Sequence, residues 1–152
     1  SNMNVIELMI EISKRSPKLL DDTLKGIENG TLKSIPQNHQ DATFTKKIKK
    51  EEKVIDWSMD AKALHNKIRG MYQINTNHTT FQNKIVKVLK TEIIEAQNGK
   101  NGEIIDVLKD GIVVKCSKDA LKLVTIKPEG KGEMNASAWA NGARISIGDM
   151  FI

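Results

Sequence analysis

A change of apolar period near Gly70 restricts the fold of this chain more than any other feature. Before it, Ala61, Leu64, Ile68 and Met71 recur at helical spacing, in a helix that Ser58 can open as N-cap. After it, residues 79–81, 85–94, 103–108, 112–116 and 121–126 form short runs rich in β-branched side chains, the mark of strands. Turn chemistry separates them: Asn83-Lys84, Asn98-Gly99 with Asn101-Gly102, Asp110-Gly111 and Lys118-Asp119. Ile112, Val114 and Cys116 share one face, as do Leu121 and Leu123, but Val124 and Ile126 take the other parity. A bulge near Leu123, as in a tightly curved sheet, reconciles them. Asn135 should cap a helical turn that runs through Trp139 and ends at Gly142. Residues 143–147 and 150–152 should close the chain as short strands. The pattern predicts an α+β chain, mainly β: a small antiparallel barrel with helices in front.

The first third reads differently. Residues 3–14 carry Ile6, Met9 and Ile10 at helical spacing, widened by Val5, Leu8 and Ile12. Ser16-Pro17 should start a second helix, with Leu20, Leu24 and Ile27 on one face and Gly30 as its stop. Two such helices cannot make a core by themselves; they read as the end piece of a neighbouring unit. Residues 31–57 are polar, turn-prone and then lysine-dense, an extended connector. Ile35, Phe44, Ile48, Val54 and Ile55 are too many apolar residues for a free linker, so it should lie along a surface. Ser1-Asn2 reads as a cleavage scar ahead of Met3.

Charge is distributed unevenly. The net charge is +5, yet residues 42–90 hold 11 basic and 4 acidic side chains while the flanking thirds are each slightly acidic. Such a local excess favours a polyanion such as nucleic acid. A solvated face fits the same counts.

Catalytic chemistry is not legible. His39, His65 and His78 share no metal-ligand spacing with one another or with Cys116, and should be surface or loop residues. Cys116, the single cysteine, excludes an internal disulfide and sits among apolar residues as a small core side chain. Gly130-Lys131-Gly132 is too short for a phosphate-cradling loop, and no GxxxxGK[ST] or GxGxxG occurs. Glu51 and Glu52, flanked by lysines, read as solvated. Trp57 and Trp139 should plug the two ends of the core rather than stack on bases. No run approaches the ~18 apolar residues of a membrane span, and no signal peptide is evident, so a cytoplasmic chain without a membrane partner is expected.

Three blocks of residues carry a family resemblance. The first is Ala42-Thr43-Phe44, Lys47-Ile48, Lys50-Glu51-Glu52, Ile55-Asp56-Trp57-Ser58, Ala61, Leu64 and Ile68-Arg69. The second is Gly102-Glu103-Ile104, Gly111-Ile112-Val113-Val114-Lys115-Cys116, Leu121-Lys122-Leu123, Ile126-Lys127-Pro128-Glu129-Gly130-Lys131 and Met134. The third is Ala138-Trp139, Asn141-Gly142, Arg144-Ile145 and Gly148-Asp149. In order and spacing over about residues 20–152 they resemble the C-terminal half of methionyl-tRNA formyltransferases.

The resemblance implies an oligonucleotide-binding-like barrel over residues 58–152 and a basic linker over 35–57. It implies that residues 3–34 are the helical end of a catalytic domain not matched here. That domain transfers a formyl group from 10-formyltetrahydrofolate to methionyl initiator tRNA in translation initiation. The chain alone is then no enzyme and binds no cofactor or metal. Its partners are initiator tRNA, held weakly, and the catalytic domain in cis. The expected phosphate contacts are Lys46, Lys47, Lys49, Lys50, Lys53, Arg69, Lys84 and Lys87, of which Arg69 is carried over from a motif. One departure is marked: the family's Asn-Pro-Trp-Pro-like turn is replaced by residues 71–79, which contain neither proline nor tryptophan. That loss keeps a second reading open, a packing domain of a paralogue that formylates a small amino substrate such as an amino sugar nucleotide. A free-standing interaction module is a third.

Overall fold

A computed structural model describes residues 2–152; Ser1, half of the expected scar, lies outside the described residues. The chain divides into two compact units, residues 6–47 and residues 48–152 together with the first residues up to Val5.

The larger unit is an antiparallel sheet wrapped around one core. Its strands are β1 (His78–Phe81), β2 (Lys84–Ile94), β3 (Ile104–Leu108), β4 (Gly111–Lys115), β5 (Ala120–Pro128) and the two-residue β6 (Met134–Asn135). They are ordered β1-β2-β5-β4-β3, with β6 paired to β5. Gln82 and Asn83, both at positive φ (47° and 62°), make the two-residue turn between β1 and β2, one position before the turn expected at Asn83-Lys84.

The parity conflict in β5 is resolved by register shifts. Val88 pairs with Ile126, Lys90 with Thr125 and Thr91 with Leu123, so Leu89 on β2 and Val124 on β5 are each skipped. Two bulges at one level bend both strands and let Leu121, Leu123 and Ile126 all point inward, each fully buried.

Backbones approach closely at two glycines. A Cβ on Gly111 would lie 2.5 Å from the Leu123 carbonyl oxygen, and one on Gly102 (φ +85°) would lie 2.7 Å from the Phe151 oxygen. Only glycine fits either place.

The strands do not close on one another. Between the free edges of β1 and β3 runs the C-terminal segment 150–152. Phe151 N donates to Gly102 O (2.9 Å), Thr80 N to Ile152 O (2.8 Å) and Ile152 N to Thr80 O (2.9 Å). This expected strand is present only as bridging contacts.

The strand expected at 143–147 is absent. Helix α3 (Ala136–Ala143), capped by the Asn135 side chain, runs to Ala143, and Arg144 in the left-handed conformation (φ 55°) ends it. The Asp149 carboxylate then accepts from Ser146 N (2.9 Å) and holds a turn.

Helix α2 (Ala61–Gly70) lays Ala61, Leu64 and Ile68 into the core. Its N-cap is Asp60, which accepts from Ala63 N (2.7 Å), not Ser58. Ser58 instead donates from both its N–H and its hydroxyl to Asp56 (2.9 and 2.6 Å), an Asx turn that holds the Asp56 carboxyl below the usual range.

Trp57 and Trp139 do not occupy opposite ends. Phe151 lies 5.7 Å from Trp57 and 6.2 Å from Trp139, ring centre to ring centre, and Phe81 packs edge-on to Trp139. All four rings form one cluster, and both tryptophans are buried in it.

His65 is not a surface or loop residue. It sits half-buried on α2 and hydrogen-bonds buried Thr91 of β2 through Nδ1 (2.8 Å). His78 is in β1, and His39 lies in a short helical turn in the connector.

In the smaller unit the two expected helices are one, α1 (Val5–Glu28), with Pro17 inside it. Ser16 does not cap; its hydroxyl donates back to Ile12 O (2.7 Å). The helix is exposed on both sides of this point, so water can satisfy the carbonyl that Pro17 leaves unpaired. Gly30 (φ +65°) ends the run, and Leu32 folds back on Gly26. The connector does not lie against a surface at Ile35 or Phe44, which are 88% and 93% exposed. It joins the barrel from Lys53 onward, where Asn77 bonds the Lys53 carbonyl, Val54 bridges His78, and Ile55 and Trp57 are buried.

Candidate nucleic-acid interface

The register of three strands builds a basic row. His78 of β1 pairs with Lys87 of β2, and Lys87 pairs on its other side with Lys127 of β5. Val54 bridges His78 from the far edge, so Val54, His78, Lys87 and Lys127 line up across the sheet. Neighbouring strands lie about 4.8 Å apart. Lys87 and Lys127 are therefore like charges directly opposite, an arrangement that destabilises a sheet unless an anion answers it. Neither forms an ion pair among the described residues, and both are exposed.

Lys90 lies beyond Lys87 on β2, while Lys84, at the start of the strand, has the parity of Val86 and Val88 and is exposed at the sheet's end. Strict alternation would send Lys90 inward with Val86 and Val88; the bulge at Leu89 returns it to the outside. The far end of the strand is acidic and only partly balanced. Glu92 and Asp110 both bind the Lys122 ammonium at 2.7 Å. Its bond to Lys122 holds the Asp110 carboxyl below the usual range.

The other expected contacts are placed less uniformly. Lys49 and Lys50 are exposed, and Glu52 accepts from Lys49 N (2.6 Å). Lys53 is half-buried, with its carbonyl bonded by Asn77 Nδ2 (3.1 Å). This short run delivers the chain to the Val54 end of the row. Lys46 and Lys47 are exposed but belong to the other compact unit. Arg69 is occupied by the protein: Nε donates to Asn66 Oδ1 (2.9 Å) and Nη1 to the Met3 carbonyl (2.7 Å). The register thus sets Lys87 beside Lys127, the bulge adds Lys90 to that face, and Lys84 and Lys131 lie instead at the end of the sheet, lining one cavity. Lys127 was not singled out by sequence reasoning because only the β2–β5 register shows it beside Lys87.

Nothing at this face resembles a catalytic centre. Cys116 is fully buried, and burial pushes its thiol up to about 11. Among the described residues no cluster of His, Cys, Asp or Glu could hold a metal, and no helix is long and apolar enough to cross a membrane.

Comparison with known proteins agrees with this architecture. Residues 47–144 match the family model described as the formyl transferase C-terminal domain. The chain belongs to that family. Methionyl-tRNA formyltransferase of Staphylococcus epidermidis is 34% identical over 145 residues, 95% of this chain and 47% of that protein. The Streptococcus suis protein of the same name is 36% identical over 151 residues, 97% of this chain and 48% of its own length. The chain spans about half the length of the curated relatives it matches. Among solved structures, HypX of Aquifex aeolicus superposes with a TM-score of 0.68 at 15% identity, over 92% of this chain and 26% of HypX. A second HypX structure, in complex with tetrahydrofolic acid, gives 0.64 at 16% identity over 86% of this chain and 23% of HypX. These superpositions show a shared α+β fold, an antiparallel sheet with helices whose unclosed barrel is consistent with the oligonucleotide-binding-like architecture.

Proposed function

We propose that this formyl transferase C-terminal domain is the non-catalytic, RNA-holding part of a cytoplasmic methionyl-tRNA formyltransferase. The observation that carries the reading is the unanswered Lys87–Lys127 pair within a row of exposed cations. A duplex backbone supplies a charge about every 1.7 Å of its axis and would answer that row. Lys84, Lys87 and Lys90, with the run Lys46, Lys47, Lys49, Lys50 and Lys53, contact phosphates of initiator tRNA and orient it without reading sequence. Arg69 contributes through the N–H groups that Asn66 and Met3 leave free.

The rest of the activity lies in a catalytic domain upstream, which takes the formyl group from 10-formyltetrahydrofolate. Names of the relatives support this acceptor, and the tetrahydrofolic acid complex of HypX supports a folate donor for the wider group. Residues 3–34 are the helical end of that domain. Their exposed apolar residues, Leu20, Leu24 and Ile27 among them, are covered when it is present.

Titration of the chain with initiator tRNA and with an unrelated RNA hairpin, at two salt concentrations, tests the reading. Binding that favours the tRNA and falls steeply with salt is expected, weakened further by charge reversal at Lys47, Lys49 and Lys50. Equal or absent binding of both RNAs at low salt would overturn it and favour a formyltransferase acting on a small amino substrate.

A further inference from the structure

Beside the basic row lies an open cavity of about 270 Å³, between the β1–β2 turn, the turn after β5 and helix α3. Phe81 and Trp139 form its apolar side, and Lys84 and Lys131 stand at its rim. The tight turn at Gly130 (φ +72°), in which Lys131 N donates to Pro128 O (3.1 Å), brings Lys131 back towards Lys84. Neither lysine has an ion pair among the described residues.

The third polar group is Glu129. Its backbone N donates to Ile85 O (2.8 Å), and its Oε2 accepts from Ile85 N (3.1 Å). The carboxylate is thereby fixed in the cavity wall, with Oε1 bonded to no protein group among the described residues. A bare phosphate would meet this negative charge. A nucleotide can keep its phosphate on the lysines and turn an N–H donor of its base to the carboxylate.

We infer that the cavity takes one nucleotide of the bound RNA. Its phosphate lies between Lys84 and Lys131, its base lies against Phe81 and Trp139, and Glu129 accepts from the base's exocyclic amino group. Apolar contact with the exposed edges of these two rings tolerates any base, so the carboxylate supplies what selectivity there is. Uracil, which offers a ring N3–H in place of an exocyclic amino group, sets its donor at a different place on the base and fits worst. The inference rests on the RNA-binding reading and adds to it a site that reads base chemistry.

Two measurements test it. The first is titration of the isotopically labelled chain with CMP, AMP, GMP, UMP and inorganic phosphate, following the Trp139 indole and Gly142 amide signals. Saturable shifts at both with the amino-bearing nucleotides, and affinity for UMP and phosphate weaker by about tenfold, are expected. No shift at millimolar nucleotide, or equal response to phosphate alone, overturns the site.

The second uses Gly142→Leu, which fills the cavity from a helical position where an added Cβ meets nothing within 4 Å, so the fold is kept. Initiator tRNA affinity should fall by about tenfold, at the low end of what one bound base contributes. If Gly142→Leu leaves tRNA affinity unchanged while charge reversal at Lys47, Lys49 and Lys50 lowers it, the nucleotide site alone is wrong. If neither variant matters, the RNA-binding reading fails with it.

Discussion

Helix α1 and the barrel are both rich in large apolar residues, yet these meet opposite fates. In α1 no residue is buried, and Leu19, Leu20, Leu24 and Ile27 are each more than half exposed. In the barrel Leu64, Ile104, Ile112, Leu121, Leu123 and Ile126 are fully buried. The helix is held by its own backbone and by ion pairs one turn apart, such as Lys25 with Asp21 (2.7 Å) and Lys18 with Asp22 (3.0 Å), each worth only about 0.2–0.5 kcal/mol. Its apolar stripe is therefore no part of the stability of this chain, whereas that of the barrel supplies most of it.

Phe151→Ala should break the barrel side of this contrast most severely. The ring joins Trp57, Phe81 and Trp139, and a loss of about 3–5 kcal/mol is expected from urea unfolding. An intact unfolding midpoint would mean that the aromatic cluster does not organise the core. Gly111→Ala comes next. Its Cβ must push the backbone of β5 from 2.5 Å, and about 1–3 kcal/mol should be lost.

A smaller effect comes from His65. Burial first, then Arg69, lowers its pKa below the ordinary 6.5, while Glu92 opposes them. The unfolded chain binds the proton more readily, so stability should fall as pH drops below about 6.5, with the loss complete below the lowered folded value. Urea midpoints of the wild type and His65→Gln between pH 5 and 8 should converge at the acid end. Parallel curves would show that His65 contributes nothing to the slope. The smallest change tests the other side: Leu20→Ala should stay within about 0.5 kcal/mol of wild type. A large loss there would mean that α1 is buried in solution.

The strands were legible because β-branched runs and turn residues speak locally, and even the β5 bulge follows from the parity of Leu123 and Val124. Elements set by a single side-chain bond were not. Pro17 marks a helix start by preference, but an exposed helix tolerates it inside. Ala143 to Ile147 read as a strand on side-chain type, and nothing local announces that Arg144 takes the left-handed conformation and Asp149 turns the chain at Ser146. The basic face was half legible. Lysine density pointed to Lys84 and Lys87, but Lys127 comes from distant sequence and joins Lys87 only through strand register, and Lys131 joins Lys84 at the cavity only through the Gly130 turn.

The seam made by residues 150–152 has a consequence for biosynthesis. Those residues hydrogen-bond Thr80 and Gly102, and every strand they join is synthesised before them. A nascent chain that has completed β1 to β6 still carries two unsatisfied strand edges, each able to recruit a stranger's backbone. A chain cut before residue 150 therefore yields a nearly complete barrel that is open along one side. Such a product is a substrate for chaperones and proteases rather than a slightly shortened copy of the domain.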